Sequence, residues 1–128
     1  KLFTRQYARL SEKLPRGATP EEEEMIRVTV AYPNQKGKKF DWDYYTNNHL
    51  ALVHEHLDAR GLARVEVDKG ISAPDPGAPP PFVAVAYLTF NTVEDVHEAF
   101  KAVGRPVMGD IPNFTDIEPV IQISETIV

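Results

Sequence analysis

Residues 82–90 read Phe-Val-Ala-Val-Ala-Tyr-Leu-Thr-Phe. An apolar run of this length, rich in β-branched and aromatic side chains, predicts a buried β-strand. Side chains alternate between the two faces of a strand, and here both faces are apolar. One face carries Phe82, Ala84, Ala86, Leu88 and Phe90, and the other carries Val83, Val85 and Tyr87. Both faces of this strand therefore need a cover.

Three other segments show strand patterns. Residues 25–32 and 64–68 alternate between apolar and polar side chains, which predicts two strands with one apolar face each. A last strand is predicted near residues 117–124, with Pro119 close to its start because proline cannot donate a ladder hydrogen bond. Residues 72–81 hold five of the eleven prolines, and we interpret them as a stiff loop between two strands.

Two helices separate these strands. The first is predicted over about residues 44–59, after an N-cap at Asp41 or Asp43. The second begins with a capping-box-like pattern at Thr92, and we expect it to stop at Gly104. The resulting order is β-α-β-β-α-β, an α+β arrangement typical of ferredoxin-like folds with a four-stranded antiparallel sheet.

The sheet itself argues for a homodimer. Two helices can cover only one face of a four-stranded sheet, so the second apolar face of residues 82–90 needs another cover. A second copy of the same sheet is the simplest one. We therefore expect a homodimer that forms through the sheet face.

The N-terminal residues 1–24 are predicted to lie outside this domain, which takes up residues 25–128. The apolar side chains of the first fourteen residues recur at helical spacing, which predicts an extra N-terminal helix. Glu21 to Glu24 follow as an acidic linker. The apolar side chains of the predicted N-terminal helix are Phe3, Tyr7, Leu10 and Leu14.

The composition of the chain limits the classes of function that it can have. The 128 residues are 42% hydrophobic and 26% charged, as in an ordinary globular domain. The net charge of −5 argues against a nucleic-acid partner, which requires clustered basic residues. No cysteine is present, which excludes disulfides, thiolate zinc sites and cysteine nucleophiles. No apolar run reaches the ~20 residues of a membrane span. We expect a cytoplasmic protein without a membrane partner, and the start at Lys1 also allows for removal of a signal peptide.

The first helix carries most of the candidate chemistry. At about 100° per residue, Tyr45, His49, Leu52 and His56 share one face, while His54 points the opposite way into water. His49 and His56 are two turns apart, about 10.5 Å by helix rise, too far to bind one metal ion. No glycine-rich phosphate loop is present. We therefore expect no metal and no cofactor, and the spacing leaves open whether His49 is functional or a packed core histidine.

Residues 40–50 read Phe-Asp-Trp-Asp-Tyr-Tyr-Thr-Asn-Asn-His-Leu. This run resembles the helix signature of the EthD family of dimeric α/β-barrel proteins, in which Phe-Asp, Tyr-Tyr and His recur at this spacing. Residues 110–115, Asp-Ile-Pro-Asn-Phe-Thr, and the ending at 119–123 resemble the C-terminal signature of the same family. The resemblance covers roughly residues 25–127. This sequence departs from the family pattern at two positions, with Ala51 in place of a frequent proline and Ser124 in place of a common glycine.

The resemblance implies a sheet that pairs with a partner's sheet into a barrel. It also implies several possible types of reaction, since similar barrels include cofactor-free monooxygenases and isomerases that act on small, often aromatic molecules. The implied function is the binding and transformation of a small apolar or aromatic compound, with His49 as general acid or base. The match to the family supports His49, Tyr45 and Asn113 as the catalytic residues. We further expect Trp42, Tyr44, His56 and Phe114 to be ligand-binding residues. The alternative is a non-catalytic ligand-binding or accessory protein of a degradation or biosynthetic pathway.

Overall fold

The computed structural model describes residues 25–128. Its strands are β1 (Ile26–Pro33), β2 (Leu62–Lys69), β3 (Phe82–Phe90) and β4 (Val120–Glu125). They form one antiparallel sheet in the order β2-β3-β1-β4. The predicted helix over residues 1–14 and the acidic linker after it lie outside the described residues.

Two helices connect the strands. Helix α1 consists of an α-helical start, Trp42–Tyr44, a π-helical turn, Tyr45–His49, and a second α-helical part, Leu50–Leu57, followed by a 3₁₀ turn, Asp58–Arg60. Helix α2 spans Val93–Gly109. The order βαββαβ confirms the predicted ferredoxin-like α+β fold. No helix of residues 25–128 is long and apolar enough to cross a membrane.

The helix starts follow the sequence signals. Asp41 is the N-cap of α1, and its side chain accepts a hydrogen bond from the Tyr44 backbone N–H at 3.1 Å. Thr92 caps α2 in the same way, accepting from the Asp95 N–H at 3.0 Å. After α1, Gly61 adopts a φ of +100°, the left-handed conformation in which glycine has no steric penalty.

Both helices lie on one face of the sheet. The β3 residues on that face, Ala84, Ala86, Leu88 and Phe90, are all buried, as are Ile26 and Val28 beside them on β1. On the opposite face, Val83, Val85 and Tyr87 are only half-buried, and no described helix covers them. The prediction that the helices cover a single face is therefore confirmed.

Two predicted boundaries were wrong. Helix α2 does not stop at Gly104 but continues to Gly109, with Pro106 inside it. A mid-helix glycine costs only about 1 kcal/mol relative to alanine, and burial of Val107 one turn later offsets this cost. Strand β4 begins at Val120 rather than near residue 117, directly after the proline that cannot donate to the ladder.

Candidate functional site

The loop after α2 is fastened to the start of α1. The Asp41 backbone N–H donates to the Phe114 carbonyl at 2.8 Å, and Phe40 pairs with Thr115 in an isolated antiparallel bridge. The Thr115 hydroxyl also donates to the Lys39 carbonyl at 2.6 Å. These contacts bring two segments together that are some seventy positions apart in the chain.

The π turn determines which residues of α1 face the core. In this turn the Leu50 N–H donates to the carbonyl of Tyr45, five residues earlier. Buried residues then recur every four positions, at Tyr45, His49, Val53 and Leu57. π turns inside α-helices are frequent at functional sites, and here the π turn lies between the two most buried polar rings of the helix.

After His49, the buried face of α1 differs from the face predicted with regular α-helical spacing. A turn closed by i→i+5 bonds holds more residues than the 3.6 of an α-turn, so each residue advances by less rotation. This shift turns Val53 and Leu57 toward the core, while Leu52 and His56 are half-buried. His54 is exposed, as its position on the far side of the helix predicted.

His49 forms a close pair with Asp110, at the C-terminal end of α2. Nδ1 of the imidazole lies 2.9 Å from Oδ2 of the carboxylate, and both side chains are largely buried. The second carboxylate oxygen, Oδ1, accepts hydrogen bonds from the Tyr44 hydroxyl at 2.7 Å and from the Asn113 amide at 2.9 Å. Three side chains thus converge on one carboxylate.

The protonation states follow from these surroundings. Burial lowers the pKa of His49 from its usual 6.5, although the hydrogen bond and the charge of Asp110 partly oppose this. Burial works in the opposite direction on Asp110, but hydrogen bonds from Asn113, His49 and Tyr44 hold the pKa of its carboxyl below the usual 3.8. At neutral pH the imidazole is therefore neutral and the carboxylate is ionised.

A neutral imidazole beside an ionised carboxylate has a defined tautomer. The proton resides on Nδ1 and is donated to Asp110, which leaves the lone pair on Nε2. Nε2 has no hydrogen-bond partner among residues 25–128. His49 can therefore accept a proton at Nε2, and the carboxylate stabilises the imidazolium that results.

Aromatic rings surround the imidazole. The Tyr45 ring stacks on it with 5.5 Å between centroids and 24° between planes, and the fully buried Phe114 ring lies 4.7 Å away on a tilted plane. Burial raises the pKa of Tyr45 to about 12, so its hydroxyl stays protonated. Trp42 packs against Tyr45 at 5.7 Å from the half-buried margin of the cluster. Tyr45 and Phe114 therefore lie beside His49, whereas Trp42 packs on Tyr45.

A small apolar cavity lies beside His49, between the helices and the sheet. Its volume is about 30 Å³, enough for one water-sized group. The lining includes His49 and Tyr45 from α1, Val30 from β1, and Met108 and Ile111 from the end of α2 and beyond. None of the predicted ligand-binding residues, Trp42, Tyr44, His56 and Phe114, lines this cavity. Phe114 lies beside the His49 ring, and the Tyr44 hydroxyl donates to Asp110.

Asp110 is the central polar residue that sequence reasoning did not select. Its loop entered only as part of a family signature, and neither periodicity nor spacing relates it to His49, sixty-one residues earlier. Asn113 was selected, but the structure shows it exposed and donating to Asp110. Within residues 25–128, no three His, Cys, Asp or Glu side chains lie close enough together to hold a metal ion.

Fold and site together define a class, an α+β domain of ferredoxin-like topology with a buried imidazole–carboxylate pair between its two helices. The chain belongs to the EthD family, because the model of the EthD domain matches residues 36–118. Among curated proteins, none matches this sequence.

Solved structures that are similar to this chain include those of two other EthD proteins. An EthD-like protein from Ralstonia eutropha JMP134 is 40% identical over 83% of this chain and 95% of its own, with a TM-score of 0.77. An EthD family protein from Bacillus halodurans C-125 is 18% identical over 80% of this chain and 99% of its own, with a TM-score of 0.58. The first supports family and fold, and the second supports the fold alone.

Proposed function

We propose that this protein binds a small apolar or aromatic compound and transforms it without a cofactor, with His49 as general base and then general acid. The observation that carries the proposal is the buried His49–Asp110 pair at 2.9 Å, which leaves a neutral Nε2 without a partner among the described residues. Burying an ionisable pair is costly, and such perturbed pairs cluster at functional sites.

The proposed step is a proton transfer. Nε2 of His49 takes a proton from an acidic C–H or O–H of the substrate, which becomes an enolate or phenolate, and Asp110 stabilises the imidazolium. Return of the proton to a different atom gives an isomer, with no change in composition. Monooxygenase-type chemistry begins with the same deprotonation at a CH2 group. Dioxygen then oxidises the carbanion, one oxygen atom forms a carbonyl at that carbon, and the other leaves as water with the two hydrogens of the CH2 group.

The neighbouring residues have distinct roles in this proposal. Tyr44 and Asn113 are positioning residues, because both donate to Asp110. Tyr45 and Phe114 form the aromatic wall of the site. General acid–base groups of this kind contribute about 10²–10⁴-fold in rate.

Deuterium exchange tests the proposal without knowledge of the product. Aryl ketones, phenols and lactones are incubated with the protein in D₂O and followed by NMR and mass spectrometry. We expect exchange at an acidic carbon of at least one compound, at a rate that rises as pH increases through the lowered pKa of His49. His49→Gln should slow this exchange at least about 10²-fold.

The exposed His54 provides the matched control, since His54→Gln makes the same chemical change on the same helix. It should leave exchange unchanged. Binding of a panel compound without exchange in the wild-type protein would instead support the alternative, a non-catalytic ligand-binding or accessory protein.

We also propose that the protein is a homodimer through the uncovered sheet face. Val83, Val85 and Tyr87 form a half-buried apolar row on this face, and a second sheet would bury it. Sedimentation should give a dimer of the 14.4 kDa chain, and Val85→Glu should dissociate it. Val93→Glu, the same change on the exposed start of α2, is the control. A wild-type monomer at micromolar concentration would contradict the proposal.

A further inference from the structure

A second apolar cleft lies between α2 and the edge strand β4. Its volume is about 420 Å³, within the range of small-molecule sites. The helices do not cover β4, so Ile121 and Ile123 remain 43% and 42% exposed on the face that points toward α2. Together with Val28 and Phe100 they form the walls of the cleft.

The cleft adjoins the cavity at His49. Phe100 and Met108 line both spaces. On β1, Val28 lines the cleft and Val30, the next residue on the same face, lines the cavity. Two side chains of α2 therefore separate the two spaces, and one of them is a methionine, an unbranched side chain that adapts readily to irregular gaps.

The charges at the cleft have one sign. His97 and Lys101, one turn apart on α2, are the polar residues of its lining, and within residues 25–128 no acidic side chain lines it. Both are exposed, and a lysine is positively charged at neutral pH. An apolar cleft with a cationic rim is complementary to a molecule that has an apolar body and an anionic end.

We propose that this cleft binds the apolar chain of an elongated carboxylate, whose acidic end pairs with Lys101 and whose far end reaches the His49 cavity past Met108. The substrate class would then be an alkanoate whose far end carries the acidic C–H or O–H group, such as a ketone or a phenol, that His49 deprotonates. The last part of this inference rests on the proposed function of His49, whereas binding in the cleft does not.

Calorimetry with octanoate and with the uncharged 1-octanol tests the cleft. Octanoate should bind the full chain about fivefold more tightly than octanol, the upper end for a solvent-accessible ion pair. Lys101→Met keeps the apolar stem and should remove this preference, while Lys36→Met, a change in an exposed loop outside the cleft, should preserve it. Each added methylene should tighten binding about fourfold until the cleft is filled.

Two further measurements separate the outcomes. Ile123→Thr should weaken both ligands several-fold, and if it changes the sedimentation coefficient instead, the cleft is a contact between copies and the proposal is wrong. Dodecanoate should perturb the imidazole NMR signals of His49, and no perturbation by any chain from eight to fourteen carbons would refute the connection.

The two proposals can fail separately. His49→Gln should leave octanoate binding within about twofold, because His49 does not line the cleft. Octanoate binding without deuterium exchange would contradict the proposed function of His49 but support binding in the cleft. Deuterium exchange without saturable octanoate binding would support the function of His49 but contradict binding in the cleft. Exchange together with equal octanoate affinity in the wild type and Lys101→Met would have the same meaning.

Discussion

Two histidines of helix α1 each pair with an aspartate at the same contact distance. His49 Nδ1 lies 2.9 Å from Asp110, and His54 Nδ1 lies 2.9 Å from Asp58. The side chains of the first pair are 6% and 12% exposed, whereas those of the second are 48% and 60% exposed. The same contact thus occurs once in the protein interior and once in water.

The environment determines what each pair can do. The second pair joins residues four apart on one helix, and exposed pairs of this kind contribute about 0.3–0.5 kcal/mol. The first joins α1 to a distant loop, and burial shifts the pKa of His49 downward. A short histidine–aspartate distance alone therefore does not support a functional site, and the proposal for His49 rests on the same distance combined with burial and a long-range partner.

The largest expected difference between the two pairs appears when the charge of the aspartate is removed from each. Asp110→Asn keeps the shape but removes the acceptor that fixes the proton on Nδ1, so we expect proton-exchange activity to fall at least about 10²-fold. Stability should fall by about 1–3 kcal/mol, since a carboxylate with three donors is lost. Urea unfolding and deuterium exchange measure the two effects.

Asp58→Asn is the matched change at the exposed pair. It should alter stability by less than about 0.5 kcal/mol and leave activity intact. Equal effects of the two substitutions would contradict the distinction between the pairs.

The fold was predictable because it depends on local patterns. Alternation in residues 25–32 and an apolar run in residues 82–90 specify strands, and an aspartate and a threonine specify helix starts. The end of α2 was not predictable from a glycine signal, because the packing of Val107 outweighs the cost of Gly104.

The site was predictable only in part. The position of His49 on a core-facing stripe follows from helical spacing, but the π turn that turns Val53 and Leu57 toward the core does not. Asp110 could not be found from spacing, because its approach to His49 depends on the loop contacts at residues 114 and 115. Long-range hydrogen bonds of this kind leave no periodic trace in a single sequence.

A change of pH is expected to have a smaller effect, on the free energy of unfolding. Because the pKa of folded His49 lies below the 6.5 of the unfolded chain, the unfolded chain binds more protons as pH falls below that value. The stability from His49 is therefore complete above pH 6.5 and declines below it, by at most about 1.4 kcal/mol per pH unit. Urea unfolding at pH 7.5, 6 and 5 should show a steeper decline in the wild type than in His49→Gln. Parallel pH profiles for the two proteins would disprove the lowered pKa.

The smallest effect distinguishes the two tyrosines beside the buried pair. Tyr44→Phe removes the 2.7 Å hydrogen bond to Asp110, which should raise the pKa of that carboxyl and lower exchange activity several-fold. Tyr45→Phe keeps the ring that stacks on His49 and removes a hydroxyl that does not hydrogen-bond to the imidazole, so activity should stay within about threefold. NMR titration of the Asp110 carboxyl, measured beside exchange rates, checks both variants. A larger loss in Tyr45→Phe than in Tyr44→Phe would mean that the Tyr45 hydroxyl acts on the substrate, and that the buried pair depends on its stacked neighbour more than on the donors that hold its carboxylate.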